Sequence, residues 1–152
     1  MHPFLEWHVS QYMTKDVKTI PPSMHLRDLG SLFERYDYNC FPVVDGGVCV
    51  GIVTKFDFLK AFVFTTSQLV PPYQELMSRT VDSIMTEDIA YVAPDEPLTR
   101  ALELMISIRA RSIPVLEPGR KLAGMISRTD LTRALHETNE MTAAAQTART
   151  PS

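Results

Sequence analysis

Two stretches of this sequence could meet a phosphorylated ligand that carries hydroxyls: Gly51-Ile52-Val53-Thr54-Lys55-Phe56-Asp57 and Gly124-Met125-Ile126-Ser127-Arg128-Thr129-Asp130. Each reads glycine, two aliphatics, a hydroxyl, two variable residues and an aspartate. A hydroxyl at a strand-to-helix junction, followed three residues later by a carboxylate, has two readings. In the first it is a capping box, with Thr54 or Ser127 capping a helix and the carboxylate folding back to an exposed backbone N–H. In the second the same geometry holds a ribose phosphate: the amides and positive dipole end of a helix start attract phosphate, and the carboxylate accepts from a ribose diol. Recurrence of the whole pattern brings the two readings level.

The charges around the two stretches differ. Arg109, Arg111, Arg128 and Arg133 crowd the second, whereas the first has Lys55 and Lys60 with Asp37 and Asp45 nearby. The second is better equipped for phosphate, although arginines on helices and loops also simply face water. His2, His8, His25 and His136 are scattered with no shared metal spacing. Cys40 and Cys49 sit in apolar surroundings and read as buried, inert packing, forming neither a disulfide framework nor a metal site.

The elements that must position these residues come in two copies. A shift of 72 residues carries Met13-Thr14 onto Met85-Thr86, Pro22 onto Pro94, Leu32 onto Leu104 and Pro42-Val43 onto Pro114-Val115. One inserted residue later, a shift of 73 carries Gly51, Asp57 and Ala61 onto Gly124, Asp130 and Ala134. The chain is an internal repeat. Each copy opens with apolar residues at helical spacing, Leu5, Val9, Tyr12 and Met77, Val81, Ile84, which predicts a short leading helix. A brief strand follows, around Thr19-Ile20 or Tyr91-Val92, and ends at proline. Amphipathic helices come next, with Ser23 and Asp95 as their expected N-caps. Two apolar runs joined through Asp45-Gly46-Gly47 or Glu117-Pro118-Gly119-Arg120-Lys121 predict hairpins. Closing helices are expected over 55–62 and 128–135. The class is α/β, each copy running β-α-β-β-α. The expected division is 5–64 and 77–137 for the copies with their leading helices, 65–76 for a linker and 138–152 for a frayed tail.

Length and charge narrow the function. A chain of 152 residues buries one real core, and a net charge of −3 lacks the basic excess of a dedicated nucleic-acid binder. Apolar runs are far shorter than the ~20 residues of a membrane span. The start, Met1-His2-Pro3-Phe4-Leu5-Glu6, carries no basic leader with an apolar stretch, so the cytoplasm is the expected location.

The whole constellation, Met-Thr, then Pro22 or Pro94, then Phe41-Pro42-Val43-Val44-Asp45 or Ile113-Pro114-Val115-Leu116-Glu117, then the Gly-to-Asp stretch, resembles a tandem CBS-domain pair, the Bateman module. The resemblance covers roughly residues 5–137. It implies two copies packed by their sheets as a pseudo-twofold pair, with clefts between them that bind AMP, ADP, ATP or a related adenosine ligand such as S-adenosylmethionine. It implies that Asp57 and Asp130 hold ribose hydroxyls and that Thr54 and Ser127 meet ribose or phosphate. It further implies that Thr19-Ile20 and Tyr91-Val92 flank the base, and that Phe41 and Ile113, before Pro42 and Pro114, line its pocket. Lys55, Arg111 and Arg128 are the cations expected beside the phosphate, and Arg128 is the favoured donor.

Two functions compete. One is a regulatory, energy-sensing module that binds an adenine nucleotide and signals to a partner protein. The other is a structural or dimerisation module with no physiological nucleotide. An enzyme ranks third, because no nucleophile sits beside a recognisable base and no Walker-type loop occurs. No cofactor is required by either reading. A homodimer is expected through helical faces carrying Phe58, Leu59 and Phe62 or Leu131 and Leu135. The aromatic set Phe56, Phe58, Phe62 and Phe64 reads as mostly core, and Met13 and Met85 as filling irregular core space.

Overall fold

The computed structural model describes residues 2–63 and 73–149. Contacts gather the chain into two units. The first-repeat unit consists of Lys18–Ile89 with Gly119–Leu122, and the second-repeat unit of Met1–Val17, Ala90–Pro118 and Ala123–Ser152. The segment that precedes the first repeat in sequence therefore packs with the second, and residues 73–89, which precede the second, pack with the first. Part of the expected linker, residues 65–72, lies outside the described residues, as does Phe64 before it.

In the first-repeat unit, strand β1 (Cys40–Asp45) and strand β2 (Val48–Thr54) form an antiparallel hairpin, paired from Cys40 opposite Thr54 to Asp45 opposite Val48 with a register shift between Val43 and Val44. Gly46 and Gly47 turn it with φ of +59° and +82°, the left-handed pair that a tight hairpin turn demands. Ile20 adds a parallel bridge to Val43, and Thr86 an antiparallel bridge to Ile52. Helices α2 (Leu26–Arg35), α3 (Lys55–Lys60) and α4 (Tyr73–Ser78) complete the unit. The second-repeat unit repeats the plan with α1 (Val9–Tyr12), α5 (Leu98–Ile108), β3 (Ser112–Glu117), β4 (Lys121–Ser127) and α6 (Arg128–Arg149). Val92 bridges parallel to Val115 and Thr14 antiparallel to Met125. The expected strand-helix-strand-strand-helix order is present in both units.

The leading segments explain the Met-Thr pairs and the motif glycines together. Thr14 exchanges backbone hydrogen bonds of 2.8 and 2.9 Å with Met125, and Thr86 exchanges bonds of the same lengths with Ile52. This pairing lays the segment across the neighbouring glycine. A Cβ on Gly51 would stand 2.9 Å from both the Met85 sulfur and the Thr86 carbonyl oxygen, and one on Gly124 would run into the Thr14 carbonyl. Glycine is needed at both positions for close backbone approach. Met13 and Met85 lie against those glycines, as a space-filling role requires.

Three sequence expectations are corrected. Neither leading segment is a single helix: each is two short turns, Pro3–Glu6 with α1 and α4 with Val81–Ser83. The break comes where His8 bridges Pro97 and Thr80 bridges His25, which forces extended backbone. The N-caps of α2 and α5 are His25 and Pro97, not Ser23 and Asp95. Neither gives a side-chain cap, and the first amides are satisfied by other backbone instead: Leu26 N–H donates to the Arg79 carbonyl at 2.9 Å and Leu98 N–H to the Trp7 carbonyl at 3.0 Å. Finally, α6 does not stop at Leu135 but continues to Arg149. Ala143-Ala144-Ala145 and its neighbours are good helix formers, and no proline or glycine interrupts them.

Each unit has its own core, not the single one expected from chain length, because the internal repeat gives each copy its own set of apolar faces. Ile20, Leu26, Leu29, Phe41, Val43, Val53 and Val81 form the first; Val9, Tyr12, Val92, Leu98, Met105, Ile113, Val115 and Ile126 are among those that form the second. Cys40 is half-buried rather than buried as expected; Cys49 is buried, and burial pushes its thiol pKa up.

Candidate functional site

The two Gly-to-Asp stretches stand at the junctions β2–α3 and β4–α6. In the first, Thr54 Oγ accepts from Asp57 N–H at 3.0 Å, and Thr54 N–H donates to Asp57 Oδ2 at 3.0 Å. In the second, Ser127 N–H and Oγ donate to Asp130 Oδ2 at 2.9 and 3.0 Å, while Ser127 Oγ lies 3.2 Å from Asp130 N–H. Both stretches are capping boxes, and both carboxylates are buried, with Asp57 7% and Asp130 4% exposed. The other carboxylate oxygen faces a cation one turn along: Asp57 Oδ1 is 3.2 Å from Lys60 Nζ, and Asp130 Oδ1 is 3.5 Å from Arg133 Nη1. Thr86 Oγ adds a contact to Asp57 Oδ2 at 3.4 Å.

Around these carboxylates the residues expected at a ligand divide into two groups. Tyr91, Arg111 and Arg128 are exposed, and Thr19, Thr54, Lys55 and Ser127 are half-buried. Arg128 is anchored, its Nε donating to the Ala110 carbonyl at 3.0 Å and its backbone N–H to the Arg111 carbonyl at 2.9 Å. Lys55 N–H makes the equivalent bond to the Asn39 carbonyl at 2.9 Å. Arg109, the C-cap of α5, takes a left-handed φ of +56° as the chain turns towards Arg111.

The second group is core. Phe41 and Ile113, expected at a base pocket, are each 1% exposed and pack in their units' interiors. Phe41 sits with its ring centroid 5.1 Å from Phe33 and 5.7 Å from Tyr38. Ile20, Val92, Pro42 and Pro114 are buried too, and their backbones serve the sheets: Ile20 N–H donates to the Pro42 carbonyl and Val92 N–H to the Pro114 carbonyl. The period-two alternation of a strand separates Thr19 from Ile20 and Tyr91 from Val92, leaving one side chain of each pair towards solvent.

Sequence reasoning missed the network behind Asp130. Arg133 Nη2 donates to the Tyr12 carbonyl at 3.0 Å, Tyr12 Oη donates to Glu137 Oε2 at 2.7 Å, and Trp7 Nε1 donates to Thr138 Oγ at 3.1 Å. No local pattern could announce it, because its partners lie more than a hundred residues apart in sequence. The phenol of Tyr12 is pushed up to about 12 by burial, assisted by the hydrogen bond and charge of Glu137 and opposed by Arg133. The folded phenol thus holds its proton more tightly than the unfolded one, which titrates near 10. Its contribution to stability is complete below pH ~10 and is lost as pH rises towards ~12. Urea unfolding across that interval should show a steeper loss in the native protein than in Tyr12→Phe; equal slopes contradict this account of the network.

Comparison with known proteins meets this geometry at the same residues. The sequence pattern described as the CBS domain matches twice, over 9–63 and 81–137, most of the chain. The chain belongs to the CBS-domain family. Among solved structures, CBSX2 from Arabidopsis thaliana in complex with AMP superposes with a TM-score of 0.74 at 23% identity, over 88% of this chain and 98% of that one. The CBS domain pair of protein MJ0100, in complex with 5′-methylthioadenosine and S-adenosyl-L-methionine, gives 0.70 at 23%, over 86% and 97%. In sequence, homoserine O-acetyltransferase of Methanohalobium evestigatum is 27% identical over 131 residues, which are 86% of this chain and 24% of that protein. The chain spans 24%, 13% and 45% of the length of three curated relatives it matches. Among the described residues, no helix is long and apolar enough to cross a membrane.

Proposed function

We propose that this CBS pair is a regulatory module that binds an adenosine-containing ligand, AMP, ADP or ATP in the first instance, and passes its occupancy to a partner protein in the cytoplasm. The observation that carries the reading is the repeated convergence of a hydroxyl, a buried carboxylate and a helix start within one turn. That set matches a ribose and its phosphate, and two neighbours of the same fold hold AMP or S-adenosylmethionine. In this reading Asp130 and Asp57 take ribose hydroxyls through the oxygen that now faces Arg133 or Lys60. Ser127 and Thr54 stand beside them. Arg128, Arg111 and Lys55 meet phosphate, and Tyr91 and Thr19 offer surface to the base. Phe41 and Ile113 act from behind, as packing.

Thermal unfolding in millimolar AMP, ATP or S-adenosylmethionine tests the reading. A ligand at a hundred times its Kd adds about 2.7 kcal/mol to the native state, which raises Tm by several degrees in a chain of this size. An unmoved Tm across all three favours the competing reading, a structural module whose aspartates only cap helices.

The same module is proposed to pair with a second copy. Leu59 and Phe56 on α3 are 63% and 67% exposed, and Ile106 and Leu135 are exposed on α5 and α6. Beside Leu59, a cavity of about 460 Å³ is lined by Phe33, Phe58 and Met77. Phe58 and Leu131, expected on the pairing faces, are instead packed into their own units. Sedimentation at micromolar concentration should give twice the 17.2 kDa chain mass, and a monomer would overturn the pairing.

A further inference from the structure

The two carboxylates have different surroundings, although their caps are alike. Lys60 pairs with Asp57 and lies over the Phe56 ring, 5.2 Å from its centroid, on its own helix. Arg133 reaches further. Its fork spans Asp130 Oδ1 and the carbonyl of Tyr12, the last residue of α1, and its guanidinium lies 5.6 Å from the centre of the Tyr12 ring. A terminal helical carbonyl lacks an intrahelical partner, and Arg133 supplies one. Tyr12 to Glu137 and Trp7 to Thr138 fasten the same segment along α6. At the position matching Tyr12 the first-repeat unit has Ile84, which has no hydroxyl to donate and so cannot form the equivalent of the Tyr12 bond.

We propose that Arg133 is a positioning residue that couples the Asp130 carboxylate to the docking of residues 2–17 on α6, so that a ribose diol held by Asp130, and not one held by Asp57, is read out at the leading segment. The proposal rests on the nucleotide reading above. Asp130 Oδ2 is already taken by Ser127, so a diol enters at Oδ1, where the Arg133 contact of 3.5 Å is longer than a tight charge-assisted bond. Hydroxyls donating there draw charge from the group that orients the guanidinium. Arg133 then holds the Tyr12 carbonyl less firmly, and the leading segment loosens. Coupling is reciprocal, so weakening that docking also changes affinity at Asp130.

The experiment uses the full chain, AMP as probe, and Arg133→Lys, which gives the second repeat the cation that the first already carries. Calorimetry first establishes AMP binding, and amide hydrogen exchange is then followed at 9–14 and 80–86, with emission of the single Trp7 alongside. Saturating AMP should speed exchange at 9–14 by about fivefold or more, the lower end of ordinary allosteric coupling, leave 80–86 unchanged, and shift Trp7 emission. In Arg133→Lys, AMP should still bind while both responses fall away. AMP binding with exchange at 9–14 unchanged or slowed, an equal response at 80–86, or the same response in Arg133→Lys overturns the coupling alone. Absence of binding heat in the native protein overturns the nucleotide reading and the trigger with it. Arg133→Met is a second variant for the same comparison.

Discussion

Asp130→Ala is expected to weaken AMP and ATP binding by about 1.5–3 kcal/mol, the scale of a hydrogen bond to a charged group, and Asp57→Ala by less. Arg111 and Arg128 stand near Ser127 and Asp130, whereas the first repeat offers Lys55 near Thr54 and Asp57. Charge-assisted contacts are about twice as strong as neutral ones, so the second site should fill first. The substitution also has a structural cost. Asp130 accepts from both Ser127 N–H and Ser127 Oγ, and removing it leaves that N–H without its acceptor, worth about 1–3 kcal/mol, while Ser127 Oγ still caps the N–H of residue 130. Asp130→Asn keeps one acceptor for the cap and separates the two effects. Calorimetric titration of the variants reads affinity and urea unfolding reads stability. Equal or reversed affinity losses would show that the arginines mark the wrong repeat, and no loss in either variant would reduce both carboxylates to caps.

Phe41→Ala should cost about 3–5 kcal/mol of stability, the range for emptying a buried aromatic site. The side chain is 1% exposed and packs among Phe33, Tyr36 and Tyr38, none of which can close the gap without leaving its own contacts. Denaturant unfolding measures the loss. Phe41→Leu, which keeps most of the volume, should leave nucleotide affinity unchanged because the ring does not face the ligand. A stability change below ~1 kcal/mol, under the large-to-small range, would contradict the core assignment.

The repeat, the order of elements and the hairpins were legible because each rests on local chemistry: proline stops, paired glycines, apolar periods of two and near four. The capping boxes were legible for the same reason, since Thr54 and Asp57 are three residues apart. What the leading segments do was not. Leu5, Val9 and Tyr12 share a helical period, yet His8 is drawn into a bridge with Pro97, and tertiary pairing overrode the local signal. Phe41 and Ile113 sit in motif positions that, by resemblance, imply ligand contact, and only their burial among distant core residues of the folded units shows that they pack inward. The glycines of the motif read as markers until Thr14 and Thr86 are seen crossing them.

The central claim is that folded chains hold an adenosine ligand through Asp130. Native mass spectrometry of the intact protein, both as purified and after equilibration with AMP, ATP or S-adenosylmethionine, tests it most directly. The predicted result is an adduct with the mass of one of these ligands, present on the native protein and depleted in Asp130→Asn. Bare protein at saturating concentrations of all three, or an adduct retained undiminished in that variant, would contradict it.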